Sequence, residues 1–212
     1  GLYGQYTDEQ MQQVRQKEQR KAAVIGEYSC QVQLGYPSSA VKDPEHAGVR
    51  DDLLEILKAT RPRVVYLHNL ADKHDTHIGV VLRCLAALRA LPEGDRPDEV
   101  YGCEVWRNLD WMLDEEKVVL PVSARPNLAA SLVGVFDSQI SGGKRYDLAT
   151  AGRWLANATY FASHAVDQEN GLTFAMDLKP LVDDATLDPA EYASGYVSRF
   201  LDDVRARVAK FS

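Results

Sequence analysis

Residues 64–77 read VVYLHNLADKHDTH, and this stretch predicts the fold class of the chain. It begins with an unbroken apolar run, Val64 to Leu67, which is typical of a strand buried on both faces of a parallel sheet. After a polar loop, apolar residues recur at helical spacing from Ile78 to Leu91. A buried strand followed by a helix indicates a βαβ unit, and folds built from such units bind ligands beyond the carboxyl ends of their strands.

The same alternation of short strands and helices extends along the rest of the chain. Further strands are predicted at 28–34, 99–105, 117–122 and 173–178. Helices are predicted at 8–25, with Thr7 as its N-cap, and at 49–60, 126–139, 147–161 and 189–210. We therefore expect an α/β fold with a mainly parallel sheet and helices on both faces.

Composition excludes several classes of protein. The 212 residues are 45% hydrophobic and 26% charged, which is ordinary for a globular domain. The net charge of -7 argues against a sequence-independent nucleic-acid surface, and no run of 18 apolar residues is present that could span a membrane. The three cysteines are widely spaced in apolar segments, so we expect buried, reduced thiols in a cytoplasmic protein.

The loop after the apolar strand carries the strongest candidate site. Three of the five histidines of the chain fall within residues 68–77. His74 and His77 are three residues apart at a loop-to-helix junction, so both imidazoles can point into one cleft, and Asp72 and Asp75 are near enough to orient a metal-bound imidazole. The alternative interpretation is a capped helix start, with Asp75 or Thr76 as N-cap and solvated histidines.

Other polar and aromatic residues are candidates for binding substrate. Trp106 could stack on a sugar ring and Glu104 could bond its hydroxyl groups, although Trp106 and Trp111 could equally be core residues or contacts of a homo-oligomer. His164 lies in a polar loop before the last predicted strand and could line the cleft. A serine hydrolase is disfavoured, because the chain has no Gly-x-Ser-x-Gly motif.

These motifs, in this order, resemble the PIG-L or LmbE-like deacetylases. The family's His-x-x-His motif corresponds to residues 74–77, after an apolar strand and before an apolar helix. Its Arg-x-x-Glu helix corresponds to residues 15–18, and its His-x-Ser-Gln helix end to residues 136–139, where Phe136 stands in place of the histidine. The resemblance implies a Rossmann-like fold and a zinc-dependent N-deacetylase acting on an N-acetylglucosamine-type substrate.

The resemblance also implies roles for particular residues. His77 would be a zinc ligand, and His74 would donate a hydrogen bond to the oxyanion formed when zinc-bound water attacks the amide. Arg15 would face the substrate, and we place Asp72, Glu104, Trp106, Gln139 and His164 with it as candidate substrate-binding residues.

One part of the family pattern is not found in this chain. The His-Pro-Asp-Asp motif, which supplies two zinc ligands and the general base, has no counterpart before the Arg-x-x-Glu helix. Residues 1–212 are therefore expected to form a single deacetylase domain that lacks the first βα unit, with His77 as its one identifiable zinc ligand. The alternative to a deacetylase is a non-catalytic carbohydrate-binding or scaffold protein of the same fold that has lost its metal.

Overall fold

The computed structural model describes residues 2–212 and contains helices α1 to α9 and strands β1 to β4. The strands are β1 (Val64–His68), β2 (Glu99–Cys103), β3 (Val118–Pro121) and β4 (Leu172–Asp177). The helices are α1 (Asp8–Ile25), α2 (Ser38–Lys42), α3 (Ala47–Thr60), α4 (Asp75–Arg89), α5 (Pro126–Gly134), α6 (Asp137–Ile140), α7 (Tyr146–Tyr160), α8 (Lys179–Asp183) and α9 (Pro189–Ala209). Single 3₁₀ turns lie at Glu93–Asp95 and Asp114–Glu116.

The four strands form one sheet in the order β1-β2-β4-β3. Strands β1 and β2 are parallel, and their register places His68 opposite Cys103. Strand β4 runs antiparallel to β2, with Tyr101 opposite Asp177. The predicted α/β class is confirmed, and the sheet is mixed because β4 joins it in the antiparallel direction. The carboxyl ends of β1 and β2 lie at the same edge, which is where the candidate site is found.

Helix α1 shows how local sequence determines an element boundary. Thr7 is its N-cap, as predicted, and forms a capping box with Gln10. The Gln10 amide N–H donates to Thr7 Oγ1 at 3.3 Å, and the Thr7 N–H donates to Gln10 Oε1 at 2.9 Å. Two of the amide groups that a helix start leaves unpaired are satisfied in this way.

The predicted strand at 28–34 is wrong, because this segment is an irregular extended loop. Its alternating polar residues turn towards helix α1 instead of a sheet: the Gln33 side chain donates to the Gln16 carbonyl at 3.3 Å, and the Gln31 side chain donates to Gln19 at 3.4 Å. Cys30 is consequently exposed, which corrects the expectation of a buried thiol there, whereas Cys84 is buried and Cys103 is partly buried. The single helix predicted at 126–139 is also two helices, α5 and α6, with a break at Phe136.

The chain divides into two compact units. The first unit comprises Gly1–Gln33 and Leu120–Thr173, and α1, α5, α6 and α7 pack together within it. The second unit comprises Leu34–Val119 and Phe174–Ser212. In the second unit α4 packs against α2, α3, β1 and α8, and the side chains of Leu85 and Leu88 on α4 are almost fully buried. Each such leucine contributes about 1.5–3 kcal/mol to stability through removal of apolar surface from water.

No helix in residues 2–212 is both long enough and apolar enough to cross a membrane.

Candidate metal and catalytic centre

The loop between β1 and α4 is held by Asn69, which is completely buried. Its side-chain Nδ2 donates to the carbonyl of Gly102 in β2 at 3.2 Å, and its Oδ1 accepts from the Ala71 N–H at 2.9 Å. The first hydrogen bond ties the loop to the neighbouring strand, and the second shapes the loop itself. The sequence pattern did not single out Asn69, although an asparagine directly after a strand is a residue type that forms such turns.

Asp72 continues this arrangement into the start of α4. Its side chain is 3% exposed, and its Oδ1 accepts from the His74 N–H at 2.8 Å. His74 occupies the N-cap position of α4 but makes no side-chain capping bond. Neither Asp75 nor Thr76 is the N-cap, so the helix start is organised by Asp72 instead of by the residues that the alternative interpretation named.

His68, Asp72 and His77 form a group that we call the His–Asp–His cluster. One potential ligand atom from each residue lies within 4.8 Å of the others. The imidazole rings of His68 and His77 stack with their centroids 3.9 Å apart and their planes 4° from parallel. His77 Nδ1 lies 3.0 Å from Asp72 Oδ1. The three donors come from the end of β1, the loop and the first turn of α4.

The donor types and hydrogen bonding of the cluster are compatible with a metal ion. Burial and the proximity of His77 lower the pKa of His68, outweighing the opposite effect of Asp72. His77 Nδ1 is buried and makes no hydrogen bond within the described part of the chain, since its short distance to Asp72 lacks hydrogen-bond geometry. A buried polar atom without a hydrogen bond calls for an explanation such as a bound ion. Two imidazoles and one carboxylate are ligands that zinc accepts.

His74 and Trp106 lie beside the cluster. The His74 ring is exposed and lies 5.1 Å from the ring of His77, centroid to centroid. It also makes an edge contact with Trp106 at 4.9 Å, and the Lys73 ammonium lies 5.6 Å from the centroid of the same indole. The structure therefore brings Trp106, which the sequence named separately, into contact with His74 beside His77 and Asp72.

Glu104 follows β2 and is only 6% exposed. Its Oε2 accepts from the Arg107 N–H at 2.7 Å, whereas its Oε1 is buried with no hydrogen-bond partner among the described residues. Burial raises the pKa of Glu104, and the charge of Asp72 adds to this effect, against hydrogen bonds from nearby backbone groups. The Arg107 guanidinium donates to the Ala71 carbonyl at 2.6 Å, which joins the segment after β2 to the loop that carries Asp72.

The remaining predicted residues, Arg15, Gln139 and His164, belong to the first unit. With its amide oxygen turned towards Arg15, Gln139 accepts from Nη2 at 2.9 Å and from Nε at 3.2 Å. Glu18, one turn along α1, is buried and accepts from both the N–H and the Oγ of Ser138 at 2.7 Å. His164 is exposed in the loop after α7. The Arg-x-x-Glu and Ser-Gln motifs are thus hydrogen-bonded to each other.

Comparison with known proteins bears on this geometry. The model of the family PIG-L, described as GlcNAc-PI de-N-acetylase, matches residues 2–88. The resemblance to PIG-L proteins is confirmed. The matched PIG-L-like segment runs from α1 into α4 and contains the whole His–Asp–His cluster, whereas Glu104 and Trp106 lie beyond it.

Solved structures give a second comparison. The chain is similar in fold to the conserved protein TT1542 from Thermus thermophilus, with a TM-score of 0.60 and 23% sequence identity over 83% of this chain and 77% of that one. This likeness concerns the fold alone. No curated protein matches the chain.

Proposed function

We propose that this protein is a zinc-dependent amidohydrolase that removes the acetyl group from an N-acetylglucosamine-type substrate. One observation carries the proposal: His74, His77 and the buried Asp72 lie together at the carboxyl edge of β1, inside the segment that matches the PIG-L family. The likeness to a family described as GlcNAc-PI de-N-acetylase supports an acetylated amino sugar as the substrate class. Three free thiols support action in the cytoplasm.

The metal would be held by His77 with its neighbours His68 and Asp72. When bound, a zinc ion polarises a carbonyl group and lowers the pKa of a water molecule to about 7. The buried Nδ1 of His77, which lies 3.0 Å from Asp72 Oδ1 without hydrogen-bond geometry, supports this position for the ion.

His74 is suited to stabilise the developing oxyanion. Its imidazole is exposed to incoming substrate, while the edge contact with Trp106 restricts its orientation. A donor that is positioned before the reaction stabilises the transition state without reorganisation, and loss of one such donor lowers kcat by roughly 10²- to 10³-fold.

Glu104 is suited to move the proton. Its ionised carboxylate would accept a proton from the attacking water as the oxygen bonds to the acetyl carbon, and would return it to the departing nitrogen as the carbon–nitrogen bond breaks. The products are acetate and the free amine. Its raised pKa supports this role, because a general base works best when its pKa lies near the operating pH.

Substrate binding is proposed for the aromatic and polar residues named from the sequence. Trp106, half-buried beside His74, presents an indole ring on which a sugar ring could stack. Arg15 and Gln139 are proposed to bind polar groups of the substrate, as the family resemblance implies, and their mutual hydrogen bonds support a fixed orientation. The exposed His164 is proposed as a further contact.

Acetate release from N-acetylglucosamine and from its phosphatidylinositol conjugate, by the zinc-loaded chain, tests the proposal. His77→Ala should abolish turnover, and His74→Ala should lower kcat by roughly 10²-fold or more because an oxyanion donor is lost. His46→Ala, a substitution outside the cluster, serves as the control and should leave kcat unchanged. A zinc-loaded wild-type chain that releases no acetate from either compound would contradict the proposed reaction.

The second candidate is a non-catalytic carbohydrate-binding protein. The observation that favours it is Phe136, which stands where the family pattern has a histidine and lies at the N-cap of α6. Addition of N-acetylglucosamine to such a protein would quench its tryptophan fluorescence, and no acetate would be released. Quenching without turnover therefore separates this candidate from the deacetylase.

A further inference from the structure

We propose that the outer face of α9 is a homodimer interface, in which α9 packs antiparallel against α9 of a second copy of this chain. The inference is independent of the proposed deacetylase activity, because α9 contributes no residue to the His–Asp–His cluster.

The apolar side chains of α9 that face solvent form a single stripe. Val197, Leu201, Val204 and Val208 follow one another at intervals of four, three and four residues, and Phe211 continues the series in the turn after the helix. We call these five residues the α9 stripe. They are between 41% and 84% exposed, and no residue of α9, all of which lies in the described part of the chain, is buried. The intervals are those of the a and d positions of a coiled coil.

The opposite side of α9 is attached to its own chain. The Tyr192 hydroxyl donates to the Asp177 carbonyl of β4 at 2.9 Å. Arg199, seven residues further along and on the same side of the helix as Tyr192, forms an ion pair with Glu116. These contacts fix the rotation of α9 about its axis, so the α9 stripe points away from the chain.

The width of the stripe indicates the kind of partner. At about 100° per residue, its four helical positions fall within about 60° of arc. A helix that packs on a broad apolar surface carries an apolar face of about 100° or more, whereas a narrow stripe at a and d positions is the seam between two paired helices. The net charge of -7 also disfavours docking on an anionic lipid surface. The partner is therefore a helix with a matching seam.

A second α9 supplies that seam. A two-fold axis brings the same patch of both copies together, so the stripe has only to complement itself. In an antiparallel pair, Leu201 of each copy meets Val204 of the other, and Val197 meets Val208. Phe211 then comes opposite Ser194, which occupies the preceding seam position of α9. The bulkiest side chain of the stripe thus faces a small one.

Charges beside the stripe favour the antiparallel orientation. Asp202 and Arg205 lie on one side of it, 3.5 Å apart within the chain, with side chains that are 73% and 70% exposed. In the antiparallel pair, Arg205 of each copy lies beside Asp202 of the other. A parallel pair would instead gather Arg205, Arg207 and Lys210 of both copies at one end, where like charges repel each other.

The area of the stripe is sufficient for a reversible dimer. At the observed exposures, the five side chains present roughly 500 Å² in each copy, so pairing removes roughly 1,000 Å² from water, which is the lower limit for a biological interface. Interfaces at this limit are typical of transient association, so we expect monomer and dimer to exchange at micromolar concentration.

Sedimentation velocity of the 212-residue chain tests the inference. The wild type should form a dimer of 23.6 kDa chains, with a dimer fraction that rises with concentration across the micromolar range. Leu201→Glu places one charge from each copy at the centre of the seam and should weaken dimerisation at least about 100-fold. Because Leu201 is 46% exposed in the single chain, the variant should keep the circular dichroism spectrum of the wild type.

Leu148→Glu is the matched control, because Leu148 is an exposed leucine on another helix, α7. The same substitution there should leave dimerisation unchanged. Val204→Glu is the second variant at the seam, and it should weaken dimerisation as Leu201→Glu does.

Introduced cysteines test the orientation. Val197→Cys chains and Val208→Cys chains, each also carrying Cys30→Ser to remove the exposed native thiol, are mixed, oxidised and mapped by mass spectrometry. The antiparallel pair predicts a disulfide that joins unlike chains, whereas a parallel pair would join like chains.

Four results would overturn the inference: a wild-type chain that sediments as a monomer throughout the micromolar range, wild-type dimerisation in folded Leu201→Glu and Val204→Glu variants, equal weakening in Leu148→Glu, or disulfides between like chains only. A monomeric chain that floats with vesicles of phosphatidylcholine and phosphatidylserine would assign the α9 stripe to a membrane surface instead. A dimer that releases no acetate would refute the deacetylase function and leave the interface standing.

Discussion

Replacement of Asn69 by alanine should loosen the loop that carries the candidate site. The side chain is completely buried and makes two hydrogen bonds, one to Gly102 of β2 and one to Ala71 within the loop. Each bond contributes about 0.5–1.5 kcal/mol, and a buried group left without its partner costs about 1–3 kcal/mol. Both accountings give the same range, so Asn69→Ala should lower the free energy of unfolding by about 1–3 kcal/mol.

Urea denaturation followed by circular dichroism measures this change. The control is Asn127→Ala, because Asn127 is exposed in the first turn of α5 and surface substitutions change stability by about 0.5 kcal/mol or less. Asn69→Ala should also bind zinc more weakly than the wild type, since Asp72 lies in the loop that Asn69 anchors. A variant with an unfolding free energy within about 0.5 kcal/mol of the wild type would refute the anchoring role.

Two further predictions concern buried carboxylates. Glu104→Gln should keep zinc affinity and lower kcat. We expect wild-type activity to fall as pH falls through the raised pKa of Glu104, and this loss should be absent from the variant. Because a raised pKa means that the folded state disfavours the ionised carboxylate, the glutamine variant should melt at the same or a higher temperature at neutral pH. If the variant instead bound zinc more weakly than the wild type, Glu104 would be a zinc ligand and not the general base. In the first unit, Glu18→Ala removes the acceptor of two hydrogen bonds from Ser138 and should cost about 2–4 kcal/mol, measured by urea denaturation. Glu9→Ala, an exposed change on the same helix, is its control, and equal stability of the two variants would contradict the structural role of Glu18.

Much of the secondary structure could be predicted because its determinants are local. Helix α1 has its predicted bounds, since Thr7 and Gln10 cap it through contacts three residues apart. Strand β1 was recognised from a continuous apolar run, but the expectation that it is buried on both faces is wrong, because β1 is the edge strand of the sheet and Tyr66 is 60% exposed. The strand predicted at 28–34 was wrong, because an alternating polar and apolar pattern is compatible with a strand and also with a loop whose glutamine side chains hydrogen-bond to α1.

The candidate site was also predictable only in part from the sequence. Its position after β1 and the pair His74 and His77 were visible in the sequence, and Asp72, Glu104 and Trp106 were named as substrate contacts. Their roles as ligands and catalytic residues remain predictions. Two features were not predicted: the anchoring of the loop by Asn69 and the membership of His68 in the His–Asp–His cluster. A single asparagine or histidine at a strand end carries no periodic or motif signal.

The sequence by itself determined that an apolar strand leads into an apolar helix through a loop rich in histidine and aspartate, because helix and strand periods are local properties. Only the tertiary structure decided which of those side chains meet. Parallel pairing of β1 with β2 brings Glu104 to the edge that carries His68, and the buried Asn69 folds the loop so that Asp72 reaches His77. The register of two strands and the burial of one amide depend on contacts distant in sequence, and those contacts convert the histidine pair of residues 64–77 into a three-residue cluster.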